Sequence, residues 1–568
     1  MKEGPDMSAP ARTPLAELPD FRREVSLIPD SGIQFLDFGF RLTREHAGPW
    51  GFFDDPRTAW NDDAMPEPIR PGEEDGSCVS YTLGAKEVIA FAAGTWLPLP
   101  LWREEAGGGY FRGPVNWARA HLVRLAQPDP AGNDFRVVVA VDTALEDFLE
   151  NEAYLAPSAE DARNGRTFSL PGPLDPIDWF LRAPWVKDWC VETYRDMVMR
   201  EEQARAPHRT PRRPGDEDLA GRMGGPHEHL ALYRAFLDLL KGLELFPQLK
   251  MVDRASEPRL AAIDVDLVID LGNSRTCGLL IEVEPDHLGA DITKAVKLQL
   301  RDLGQPAQVY ADPFDSRLEF ARAQFGRDHL SRRSGRQKAF SWPTIVRVGP
   351  EASRLAALRM GSEGDSGLSS AKRYLWDDDP RPMGWRLNAQ TGHGEVAPFA
   401  PEVDFTTLVN DRGEALHRLP DHLAANDERW LPAFRALYSR QSLMSFALSE
   451  ILLQALTMIN APAYRLKRRN ADLPRRLRRV IMTMPTAMPL AERQIYQAQA
   501  ETACELIYLC LGLAELDYAG RRPTLVPVPG HQLPTVILKW DEATATQAVY
   551  LYTEVAINHS GDARAFFD

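Results

Sequence analysis

Cysteine is scarce: the chain of 568 residues has five, Cys78, Cys190, Cys277, Cys504 and Cys510. None form a C-x-x-C pair. An odd, dispersed set gives no disulfide framework and no zinc knuckle, and fits reduced thiols in the cytoplasm. Long apolar runs are also missing. No stretch of about 18 uninterrupted apolar residues occurs, so no transmembrane helix and no membrane partner are expected. The start, MKEGPDMSAPARTPLAELPDF, is polar and lacks the apolar core of a signal peptide. Positive charge is outnumbered: 66 Lys and Arg against 81 Asp and Glu leave a net −15. That balance favours solubility and gives no reason to expect general nucleic-acid binding. Hydrophobic content of 44% and charged content of 26% are ordinary for a globular protein. The chain is too long for one compact core, and roughly two to four domains are expected.

Residues 1–24 read as a flexible tail. Val25 to Ile28 and Ile33 to Phe38 are strand-like, with the turn signal Pro29-Asp30-Ser31-Gly32 between them. A hairpin is expected there, the alternative being loop segments packed on a surface. Val88 to Phe91 and Phe135 to Val141 are further strand-like runs. Gly107-Gly108-Gly109 is not followed by Lys-Ser/Thr at Walker spacing, so it reads as a turn and not a phosphate loop. Residues 25–200 thus form a mixed, strand-rich domain. Residues 201–228 are charged and carry Pro and Gly, the composition of a linker. His227 and His229 lack the further ligands a metal needs and read as a solvated helix start. Residues 229–260 form a helical connector, with an amphipathic helix over Leu230 to Phe246.

The strongest motif is Asp270-Leu271-Gly272-Asn273-Ser274-Arg275-Thr276, between two apolar runs. It reads as a buried strand, a tight polar turn and a second strand. Glycine lets a backbone approach a ligand closely. Small polar residues after it offer N–H groups and hydroxyls to phosphate oxygens. Asp270, at the strand end, is placed to hold a metal-bound water. The plain alternative is an ordinary hairpin.

Downstream segments carry a resemblance. Phe340-Ser341-Trp342-Pro343-Thr344-Ile345-Val346-Arg347-Val348, Ser370-Ala371-Lys372-Arg373-Tyr374-Leu375, Val480 to Ala487 with Glu492-Arg493-Gln494, and Asp541 to Ala548 follow in order. With the Asp270 motif, this series resembles the seventy-kilodalton heat-shock chaperones of the actin-like ATPase superfamily. The resemblance covers residues 262–568 and implies an α/β fold, an actin-like (ribonuclease H-like) lobe with an insertion at about residues 377–440. It departs from the family at Ala543, where the chaperones have Pro, and at Asn273, where they have a hydroxyl residue. Leu27-Ile28-Pro29-Asp30-Ser31-Gly32 and Gly113-Pro114-Val115-Asn116-Trp117-Ala118-Arg119 resemble the bacterial virulence factor SrfB family.

The chaperone resemblance implies ATP with magnesium between two lobes. Asp270, Lys372 and Glu542 would be catalytic, with Asp270 and Glu542 ordering magnesium-bound water. Gly272, Asn273, Ser274, Arg275 and Thr276 would contact the phosphates. The alternatives are a surface lysine for Lys372 and a helix-start carboxylate for Glu542. The family's second phosphate loop does not follow Glu542, so this chain is expected to carry half of the site and to bind ATP weakly alone. Protein partners are expected, including products of the same operon and a second lobe in cis or in trans. The competing readings are a scaffold that keeps the fold without turnover and, more weakly, a sugar or acid kinase. The basic runs Arg465 to Arg469 and Arg475 to Arg479 lack interleaved aromatics and read as a solvated connection, not a nucleic-acid platform. Ser442 to Asn460 is expected to be a helix packed on the sheet.

Overall fold

The computed structural model describes residues 18–564 except 22, 47, 56, 59–63, 69–78, 106, 147–153, 173–175, 254–261, 284–293, 359–364, 389–403, 425, 520–521 and 560–563. Cys78, most of the expected tail and part of the expected insertion lie outside the described residues.

A four-stranded antiparallel sheet stands at the middle. Its strands are β1 (Ile33–Phe40), β2 (Trp96–Leu99), β3 (Ala118–Arg124) and β4 (Phe135–Asp142), in the order β1-β4-β3-β2. Side chains alternate across a strand. Here both sets are apolar. Ile33 and Phe35 of β1 with Val138 and Ala140 of β4 enter one core; Leu36 and Phe38 with Val137, Val139 and Val141 enter another. This explains why Phe-Arg-Val-Val-Val-Ala-Val-Asp of β4 is buried throughout. A second sheet joins Glu24–Leu27 in parallel to Gln248–Met251, then Thr167–Ser169, Trp102–Glu104 and Tyr110–Arg112. Helices α1 (Pro184–Arg205) and α2 (Glu228–Gly242) pack into the same N-terminal core.

The C-terminal half holds an α/β sheet. Its main strands are β5 (Ile263–Leu271), β6 (Arg275–Val283), β7 (Val296–Lys297), β8 (Arg475–Met484) and β9 (Thr535–Asp541), ordered β7-β6-β5-β8-β9. β5, β6 and β7 pair antiparallel; β8 and β9 add in parallel to β5. Helix α3 (Ser442–Asn460) precedes β8, α4 (Leu490–Cys510) connects β8 to β9, and α5 (Glu542–Tyr552) follows. α3 passes the length and hydropathy test for a membrane span, against the expectation of none, yet 94% of that window is buried inside the fold. Its apolarity is that of a core helix.

Several expectations change. Glu24–Leu27 and Ile33–Phe40 belong to different sheets and form no hairpin. Val88 to Phe91 lies in a helix, Ala85–Ala92, whose Glu87 carboxylate accepts the Gly84 N–H at 3.1 Å; this capping contact outweighs the β-like look of Val-Ile-Ala-Phe. Within the expected tail, Phe21 packs edge-on against Phe38 with ring centres 5.3 Å apart. Residues 201–205 continue α1. His227 and His229 do open α2 but are buried, with His227 Nδ1 2.8 Å from Asp54 Oδ1. The second basic run is part of β8. Arg476 meets Asp264 at 2.6 Å and Arg478 Nε meets Asp266 at 2.9 Å across the β5–β8 pair. The Asp-x-Asp of β5 and the arginines of β8 complement each other in that register.

The two halves are welded by the Asn116-Trp117-Ala118-Arg119 segment. Buried Arg119 donates to Asn116 Oδ1 (2.5 Å), Ser331 Oγ (2.7 Å) and the Phe325 carbonyl, and sits 3.9 Å from the Phe340 ring centre. Asn116 Nδ2 donates to Ser331 Oγ and Ser334 Oγ, each at 2.9 Å. Arg119→Leu strands these acceptors and is expected to lower stability by about 2 kcal/mol. Urea titration of both proteins measures it.

Candidate functional site

β5 ends at Asp270-Leu271. The chain turns back at once: the Gly272 N–H donates to the Arg275 carbonyl at 2.9 Å. A Cβ on Gly272 would lie 2.7 Å from that oxygen, so the close turn requires glycine. Ser316 fixes the turn from outside. Its hydroxyl donates to the Gly272 carbonyl at 2.7 Å and lies 2.9 Å from the Thr276 hydroxyl, and its N–H donates to the Ser274 carbonyl at 2.9 Å. Asn273 Oδ1 accepts from Ser370 Oγ at 3.3 Å. The side chains of Asn273, Ser274 and Arg275 are exposed at the tip, while Thr276 is buried.

Lys372 lies in a single turn, Ala371–Tyr374, and is buried. It is no surface lysine. Nζ donates to the Leu271 carbonyl at 2.8 Å and to Glu542 Oε1 at 3.0 Å, over the Tyr496 ring at 5.6 Å. Glu542 opens α5 behind Asp541, whose carboxylate accepts the Thr544 N–H at 2.8 Å as the helix cap. The Thr544 backbone and hydroxyl hold the Asp541 carboxyl below the usual range. Asp270 is exposed, and its Oδ1 accepts from Thr483 Oγ1 of β8 at 2.8 Å. Tyr496 of α4 is fully buried, and its hydroxyl has no hydrogen-bond partner among the described residues. Burial first, then the charges of Asp270 and Glu542, push that phenol far above its normal value.

The structure therefore brings Asp270, Lys372 and Glu542 together around Tyr496, at the carboxyl ends of β5, β8 and β9. In open α/β sheets this edge, where strand order reverses, is where ligands bind. Asn273 and Ser274 face a neighbouring cavity of about 730 Å³. The roles of Thr483, Ser316 and Tyr496 have no local signal in the sequence. Thr483 and Ser316 act through partners 213 and 44 residues away.

The donor set fits magnesium only through water. Among the described residues no three His, Cys, Asp or Glu side chains gather closely enough to hold a metal directly. Magnesium usually keeps several waters and takes one or two carboxylates. Asp270 and Glu542 are the two carboxylates of this cluster, and Glu542 is paired with Lys372.

The fold and this edge define an α/β protein with a polar side-chain cluster at the carboxyl edge of a mixed sheet. A family model, virulence factor SrfB, matches residues 14–568, and the chain belongs to that family. A search of curated proteins finds no match to it.

Proposed function

We propose that this SrfB-family chain is an actin-like, chaperone-type ATP-binding protein of a bacterial virulence-associated system, acting in the cytoplasm. ATP and magnesium would be held at this edge, with a second lobe in cis or in trans and protein partners from the same system. One observation carries the reading: Asp270, Lys372 and Glu542 converge from segments more than 100 residues apart. The sheet order β7-β6-β5-β8-β9, a hairpin extended by two parallel strands, supports a ribonuclease H-like lobe.

In this reading Asp270 and Glu542 order metal-bound water, Asn273 and Ser274 meet phosphates, and Lys372 offsets negative charge. Such chemistry is positioning and electrostatics, with no covalent intermediate. The Lys372–Glu542 pair must open before either group can serve. That closed pair favours a second reading, an interaction scaffold that keeps the fold without turnover.

Calorimetry of Mg-ATP with the whole chain separates them. Asp270→Ala and Lys372→Ala are each expected to weaken binding about ten-fold, the loss of one charge-assisted contact. Binding indifferent to both changes, or no binding even when the second lobe is supplied, favours the scaffold.

A further inference from the structure

The cavity beside the turn shares Asn273 and Ser274 with the proposed nucleotide contacts and extends away from the Asp270, Lys372 and Glu542 cluster. Its walls come from the tip (Asn273, Ser274), the strand edge (Asp315, Arg317), the helix Gly349–Leu358 (Ser353) and the segment after Gly367–Ser369 (Arg373). None of Asp270, Lys372 or Glu542 lines it.

The wall chemistry is that of an anion site. Two guanidinium groups face one carboxylate, Asp315. Arg317 is anchored: its Nε donates to the fully buried Glu319 at 3.2 Å, and Glu319 is not on the wall. Asp315 is occupied by the Ser353 hydroxyl at 3.0 Å. Among the described residues, the side chains of Arg373, Ser274 and Ser369 make no hydrogen bond or ion pair, although all three line the cavity. A guanidinium with hydroxyls on several sides suits a tetrahedral phosphate, whose oxygens accept from many directions. The volume of about 730 Å³ is that of a small-molecule site and exceeds one phosphate ion.

We propose that this cavity binds the phosphate group of a phosphorylated small molecule, with Arg373 as the principal contact, Arg317 as a fixed second charge, and the Ser274 and Ser369 hydroxyls as donors. The phosphate belongs either to a separate metabolite or to a nucleotide reaching over the tip from the Asp270 side. The assignment adds to the nucleotide reading and does not depend on it.

The test is titration of the whole chain with inorganic pyrophosphate, by calorimetry. Arg373→Gln, an exposed change, is expected to weaken binding about ten-fold or more. Asp315→Asn removes the opposing charge and is expected to tighten it about three-fold. Asp270→Asn, outside the cavity wall, should leave pyrophosphate binding unchanged. Competition by Mg-ATP assigns the phosphate to a nucleotide, and simultaneous binding assigns it to a separate molecule; both support the site. No pyrophosphate binding, or binding that Arg373→Gln leaves intact, overturns it. Loss of Mg-ATP binding in Asp270→Ala with pyrophosphate binding retained would separate the two sites.

Discussion

Glu450→Ala is expected to lower the unfolding free energy by about 4 kcal/mol, enough to leave a domain of ordinary stability marginal. Glu450 sits mid-way along α3 and is 1% exposed. Its carboxylate accepts from Trp342 Nε1 (2.9 Å), Arg347 Nη1 (3.1 Å), Gln454 Nε2 (3.0 Å) and the Thr344 hydroxyl. Arg347 is fully buried; it also donates to the Ala321 carbonyl at 3.2 Å and the Thr344 carbonyl at 2.7 Å. Removing the carboxylate leaves a buried guanidinium without its counter-charge, which costs more than the pair contributes when intact. Glu450→Gln keeps an acceptor and should lose less. The double change Glu450→Leu with Arg347→Met removes both charges and should recover much of the loss. Urea unfolding of the four proteins decides it. A loss under about 1 kcal/mol for Glu450→Ala would mean the network does not fix α3.

Acid is the second strong lever. Burial, then Arg200, holds His121 down to about 4, its ring 5.1 Å from Trp96. Burial, then His227 and Lys187, holds His229 down to about 3. Both are neutral in the folded chain, whereas unfolded histidine titrates near 6.5. The unfolded state therefore takes up protons first. The stability these residues leave intact is full above about pH 6.5 and is lost as pH falls toward the folded values. At about pH 5 each histidine has withdrawn about 2 kcal/mol, or about 4 together. Burial also pushes the carboxyls of Asp30, Glu228 and Asp328 up, so the clean measurement is a difference. His229→Leu should shrink the stability loss between about pH 7 and about pH 5 by about 2 kcal/mol. An unchanged loss would mean His229 is not held neutral.

What the sequence disclosed follows the range of the forces involved. The β5–β6 hairpin and helix α3 were legible because apolar periodicity and a glycine turn are local signals. The Ala85–Ala92 helix was misread because Val-Ile-Ala-Phe suits a strand, and the deciding contact is a cap from Glu87 to Gly84. The buried histidines of α2 were misread because the closing partner, Asp54, lies 173 residues earlier. The arginines of β8 looked like a solvated run until β5 supplied Asp264 and Asp266. At the candidate site, Asp270 and the turn could be found from strand and glycine. Tyr496 could not, because nothing in α4 marks which face will meet Lys372.

The parallel pairing of Glu24–Leu27 with Gln248–Met251 has a consequence for synthesis. A nascent chain carries this early strand with an open edge until Met251 has emerged. At about 5–20 residues per second that wait is roughly 11–45 s. Even then Ser26 is unfinished, because its carbonyl accepts from Arg465 and its hydroxyl reaches Asp472. Open strand edges template wrong pairings. Translation that pauses between these points leaves the edge exposed to neighbouring chains, and a fragment ending before Met251 keeps it exposed permanently.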